Sequence, residues 1–323
     1  KDSSPYKTAR KWLQITKALA KDPNPWIDSD GLTTEMARWQ FPLHFIDFET
    51  AMPAIPFKQG RKPYEGIAFQ FSHHTVDKDG NVEHRGQFLE TTPGIFPNYQ
   101  FVRELKAQLE TDDGSIFRYH SHENSYMNTI WKQLKADSSD VPDKDDLCSF
   151  IQTIAKPTDS LKGEWKAGPR NMIDLYDLVI RHYYDPAMVG SNSIKHVLPA
   201  ALNSSEFLRA KYSQAIYGGP SGIKSQNFLE AKQWVVLDGG KVMDPYKSLG
   251  KLFDDESDHD YEVLTSGIDE INDGGAAMAA YGKLQYQEMP DDERTALNRG
   301  LLRYCELDTL GMVMIYEAWI AAI

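Results

Sequence analysis

The chain has 323 residues, with 47 acidic against 35 basic side chains and a formal net charge of −12. At roughly 150 residues per domain there is room for about two domains, or for one large α/β domain with insertions. The 41% of apolar residues suffice for a sizeable core. The acidic excess argues against holding long duplex DNA through a broad basic face, but it leaves room for an enzyme that meets phosphates through bound metal ions.

Cys148 and Cys305 are too few for a disulfide framework and read as reduced core thiols of a cytoplasmic protein. No apolar run reaches the roughly 18 residues of a membrane span. The first residues lack a signal-peptide stretch. The chain starts at Lys1 without Met, so a piece of a longer protein with an N-terminal neighbour is expected.

In chain order, residues 7–20 predict a short helix closed by Pro23 and Pro25. Residues 1–40 form a helical extension or linker before a main domain over 41–323. Leu43–Thr50 is an apolar run that turns acidic, as in a buried strand. A proline-containing loop over 51–64 carries Lys58, Arg61 and Lys62. Ile67–Val76 and Val82–Glu90 predict two strands around the Asp79-Gly80-Asn81 turn. Helical spacing over 98–110 precedes a strand at Ser115–Tyr119 and helices at Glu123–Leu134 and Asp145–Ile154. Asn171–Leu178 begins as an apolar strand. Residues 200–290 have weak periodicity, consistent with an insertion, and include the acidic run Asp254–Glu262. A long helix follows Pro290, with Asp291 or Asp292 as its expected N-cap. Three meandering strands followed by crossovers predict an α/β fold, a mixed sheet flanked by helices.

Three acidic features stand at element ends. Asp47 and Glu49 are two apart on a strand, so both carboxylates point to one face and repel one another unless a cation lies between them. Glu123 stands where a strand hands over to a helix, in Tyr119-His120-Ser121-His122-Glu123. In the last helix Tyr304 and Asp308 are four apart and share a face.

In this order the Asp-x-Glu strand, the strand-to-helix acid and the Tyr-x-x-x-Asp helix resemble the tyrosine variant of the DEDD-type 3′–5′ exonucleases, which have a ribonuclease-H-like fold. Ile173-Asp174-Leu175 and Ser193-Ile194-Lys195 resemble that family's segment after the second motif. Over residues 40–320 the chain looks more closely like a bacterial family, domain of unknown function 2779. Its marks are Phe45–Thr50, Phe69–Ser72, Gly190–Leu198, Asp244-Pro245-Tyr246 and Tyr304–Thr309.

The resemblance implies Asp47, Glu49, Glu123 and Asp308 as ligands of two Mg²⁺ or Mn²⁺ ions, with Tyr304 orienting water. The second motif departs from the family pattern, with His122 where an aromatic residue is usual, and Asp174 is the alternative to Glu123. Hard divalent ions prefer oxygen donors, and a pair about 3.5–4 Å apart serves phosphodiester hydrolysis. Lys58, Arg61, Lys62 and Lys195 are candidate contacts to substrate phosphates. The expected partner is a short single-stranded nucleic-acid end. Two other readings stay open: an inactive nuclease-fold binding module, and a zinc hydrolase using His120 and His122.

Overall fold

The computed structural model of the protein describes residues 5–220, 222–250 and 270–323. The acidic run Asp254–Glu262 lies outside the described residues.

Two helices, α1 (Pro5–Ala20) and α2 (Ser29–Met36), precede strands β1 (Leu43–Ala51), β2 (Ile67–Val76) and β3 (Val82–Leu89). These three strands form an antiparallel meander. Its second turn is built by Asp77, whose Oδ1 accepts from Asp79 N at 2.8 Å and Asn81 N at 2.9 Å, while Gly80 takes φ 81°. Helix α3 (Asn98–Leu109) leads to β4 (Ile116–Arg118), which pairs parallel with β1. Helices α4 (His122–Ala136) and α5 (Lys144–Ile154) lead to β5 (Ile173–Asp174), parallel to β4. The resulting five-stranded sheet has the order β3-β2-β1-β4-β5. It is the mixed sheet expected from the sequence and is consistent with a ribonuclease-H-like fold.

Alternation along β1 assigns its two faces. Ile46 and Phe48 join a core with Phe101, Leu105, Ile130 and Ile151, from α3, α4 and α5. Phe45 joins the opposite core, which includes Val197, Leu198, Leu307 and Leu310. Asp47 and Glu49 share the parity of Phe45 and therefore lie on this second face. That face is crossed by α7 (Ile194–Ser204) and α10 (Asp291–Ala322), which follow α6 (Leu175–His182) and enclose α8 (Glu206–Tyr212) and α9 (Gly274–Tyr286) in the sequence. Burying one such Phe side chain contributes about 1.5–3 kcal/mol.

The apolar strand expected to begin Asn171–Leu178 is the two-residue β5, which ends at Asp174 because that side chain accepts from Tyr176 N at 3.1 Å and starts α6. One expectation is corrected. The last helix is N-capped by Pro290; Asp291 and Asp292 lie in its first turn, where they favour the positive helix end. The helical segment before β1 packs against the rest of the chain. Arg10 is buried and donates to Tyr183 O at 2.6 Å and Asn192 Oδ1 at 2.5 Å, and Trp26–Ile27 pairs with Tyr183–Tyr184.

Candidate metal centre

The centre starts from β1. Asp47 and Glu49 pair across the sheet with Ser72 and Gln70, and those partners grip α10. Gln70 Nε2 donates to Leu301 O at 2.8 Å, and Ser72 Oγ lies 2.7 Å from Thr309 Oγ1. Leu301, Cys305 and Thr309 are four residues apart and form one stripe of the helix facing the sheet. Cys305 Sγ thereby sits 3.6 Å from Asp47 Oδ2 and 3.6 Å from Asp47 O. Ligand atoms of Asp47, Glu49 and Cys305 all lie within 4.8 Å of one another, and no other such group of three occurs among the described residues.

Glu123 and Asp308, on two further elements, act electrostatically on Asp47 and Glu49 but lie outside that 4.8 Å group. Because β1 and β4 run parallel, the start of α4 lies at the end of β1, where Thr50 Oγ1 is 2.9 Å from His122 Nε2. Glu123, in the first turn of α4, is 1% exposed, and its Oε2 has no hydrogen-bond partner. Asp308 is 6% exposed, one turn beyond Tyr304 on α10.

The four carboxylates disfavour one another's ionisation. Asp47 retains some solvent contact but is hemmed in by protein; burial first, then Asp308, Glu49 and Glu123, holds it well above the usual carboxylate range. Glu49 is raised by burial, Asp308 and Glu123, with Lys195 opposing. Glu123 is pushed up to about 8 by burial, with Asp174 and Asp308 adding to the rise and Arg118 opposing it. Asp308 is also raised by burial, against Lys195, Tyr246 and Tyr304.

Lys195 and two tyrosines frame the cluster. A Cβ on Gly311 would sit 3.0 Å from Leu198 Cδ2, so glycine permits the close approach of α7 to α10. Lys195 on α7 then donates to Tyr304 Oη at 2.9 Å and to Asn272 O at 3.0 Å, with its ammonium 3.8 Å from the Tyr246 ring centroid. Tyr246 donates to Asp308 Oδ1 at 2.5 Å. Burial pushes the Tyr304 hydroxyl far up, so it stays protonated. Tyr246 had no site role in the sequence reading; the only signal was the Asp244-Pro245-Tyr246 tripeptide.

Other expected site residues have different surroundings. Asp174 pairs with Arg118 at 2.8 Å and accepts from His120 N at 2.9 Å as well as capping α6. Its carboxylate is thus committed to holding the β4 and α6 ends together. Arg61 stacks 3.5 Å over Phe96 and pairs with Glu65 and Asp137, which anchors the loop after β1. Lys58 and Lys62 are exposed on that loop. His120 packs edge-on against Tyr176 at 4.5 Å, whereas His122 contacts Thr50 and Tyr126. Neither histidine joins a three-ligand group among the described residues.

The fold and site define an α/β protein whose central strand carries an acidic cluster able to accept a cation. The donor chemistry fits a divalent ion, and the orphaned Glu123 Oε2 is an unsatisfied buried oxygen that could meet one. Residues 44–193 match the model of a family described as Domain of unknown function (DUF2779), a span just under half of the chain. It contains Asp47, Glu49, Glu123 and Asp174 and ends before Lys195, Tyr304 and Asp308. No curated protein and no solved structure matches the chain. No described helix is long and apolar enough to cross a membrane.

Proposed function

We propose that the chain is a metal-dependent nuclease that hydrolyses phosphodiester bonds at short single-stranded DNA or RNA ends, in the 3′–5′ direction of the exonucleases it resembles. The observation that carries this reading is the meeting of four mutually repelling carboxylates, Asp47, Glu49, Glu123 and Asp308, contributed by β1, α4 and α10. A fold does not gather such charges without compensation, and Lys195 offsets only part of them.

These four residues would hold Mg²⁺ or Mn²⁺, which supply Lewis-acid activation of water and neutralise charge at the phosphate. The protein's own groups do the positioning. Tyr304 keeps its proton and offers a donor for orienting the attacking water, while Lys195 holds that hydroxyl in place and supplies positive charge beside the acids. Beyond Glu49, the loop after β1 and α9 line an open apolar pocket of about 330 Å³, with Met52, Ile55, Phe57, Tyr281 and Tyr286 among its walls. It supports the reading by offering a surface for a nucleobase.

The test is Mn²⁺-dependent shortening of a 5′-labelled single-stranded oligonucleotide, resolved product by product. Asp47→Asn and Asp308→Asn are each expected to lower the rate by at least about a hundredfold. Undiminished activity in both variants refutes this centre.

A further inference from the structure

We propose that Cys305 is itself a metal ligand, forming with Asp47 and Glu49 a mixed sulfur–oxygen site that favours a thiophilic divalent cation of the Zn²⁺ or Cd²⁺ class over Mg²⁺. This deepens the proposed function and rests on its reading of the cluster as a cation site.

Geometry singles out the thiol. Donors to one Zn²⁺ ion stand about 2.0–2.3 Å from it, so two of them are separated by no more than about 4.6 Å. The donor atoms of Asp47, Glu49 and Cys305 already lie within 4.8 Å of one another, a spacing that small side-chain shifts would close. Cys305 contacts the carbonyl and carboxylate of Asp47, one of the proposed ligands. The chain's other thiol, Cys148, instead packs in the core with Leu147, Phe150 and Ile151. An independent observation points to a ligand beside this group: Glu123 Oε2 is buried without a partner at the start of α4, which the 2.9 Å contact of Thr50 Oγ1 with His122 Nε2 places at the end of the strand that carries Asp47 and Glu49.

Carboxylates alone suit hard ions, whereas sulfur adds affinity for soft ones. On binding, the S–H bond breaks, an S–metal bond forms and the proton passes to solvent. The site then has two states of occupancy. The carboxylates serve a catalytic Mg²⁺ or Mn²⁺, and the sulfur lets a thiophilic ion displace it and stop turnover.

The experiment titrates the metal-free protein with Cd²⁺ and follows sulfur-to-cadmium charge-transfer absorption, alongside Mn²⁺ competition. A band in the native chain that yields only to a large excess of Mn²⁺, is retained in Cys148→Ala and is lost in Cys305→Ser supports the proposal. Cys305→Ser is expected to weaken Cd²⁺ binding by about tenfold or more while changing Mn²⁺ binding by less than about threefold. Cadmium NMR of the native chain reports sulfur ligation without any variant. Cadmium binding with oxygen-only character, or a band that disappears with Cys148, overturns the proposal and leaves the carboxylate centre standing. Failure of both Cd²⁺ and Mn²⁺ to bind overturns the centre as well.

Discussion

The Tyr246 hydroxyl donates to Asp308 Oδ1 at 2.5 Å, joining residues 62 positions apart. A residue between α8 and α9 thus fixes the orientation of an acid on the last helix. Tyr246 is buried against Lys195 and Tyr304, so the bond is sheltered from competing water. Groups that orient a metal ligand commonly change affinity or activity by about 10–100-fold when removed. Tyr246→Phe is therefore expected to lower Mn²⁺ affinity, measured calorimetrically, and the cleavage rate by about tenfold or more. Circular dichroism is expected to show the variant still folded.

Glu123 and Asp174 should separate cleanly. Glu123→Gln replaces a carboxyl that is protonated up to about pH 8 without metal but would ionise to meet a cation, and is expected to weaken Mn²⁺ binding by about tenfold with little loss of stability. Asp174→Ala removes an N-cap and the partner of Arg118, and is expected to cost about 2–4 kcal/mol in denaturant unfolding. Its effect on Mn²⁺ affinity should be smaller. The reverse pattern assigns the ligand role to Asp174.

The acidic cluster also sets a pH dependence. Glu123 rises from an ordinary 4.5 to about 8 on folding, so the folded state holds more protons than the unfolded state between those values. Stability of the metal-free chain should therefore fall as pH rises through this window. Asp47, Glu49 and Asp308 are raised too and push in the same direction. A cation that binds the ionised acids opposes this loss. The Mn²⁺-induced rise in Tm should be larger at about pH 8 than at about pH 5, measured by calorimetry at constant free Mn²⁺. An equal rise at both pH values contradicts the coupling.

Glu306, between two residues of the centre, serves the fold instead. It is fully buried and accepts from Tyr217 Oη at 2.5 Å, Ser225 Oγ at 2.5 Å and Asn227 Nδ2 at 2.6 Å, with His84 Nδ1 at 3.2 Å. Glu306→Ala would strand these groups and is expected to destabilise the protein by about 3–5 kcal/mol. Chemical denaturation of the metal-free chain measures it. Burial opposes the ionisation of Glu306, but His84, Ser225 and Tyr217 outweigh it and hold the carboxyl below its usual range. Its contribution is thus present above the ordinary carboxylate range and lost as pH falls through the lowered value.

Strand periodicity made the meander and the shared face of Asp47 and Glu49 legible from the amino-acid order alone, because side chains alternate across a sheet at every position. The register needs only that alternation and the apolar core on each side. The start of β5 was legible but its end was not, since Asp174 caps a helix through a bond that spacing does not reveal. Likewise, Tyr304, Cys305, Glu306 and Asp308 follow one another in a single turn, yet they reach different neighbours. Packing against β1, β2 and β3 sends Cys305 to Asp47, Thr309 to Ser72 and Glu306 to His84. Sequence by itself determined which acids could share a face. Only the tertiary structure decided that Cys305 joins Asp47 and Glu49, that Tyr246 holds Asp308 and that Asp174 is already engaged, because such contacts depend on helix rotation and on elements far apart in the chain.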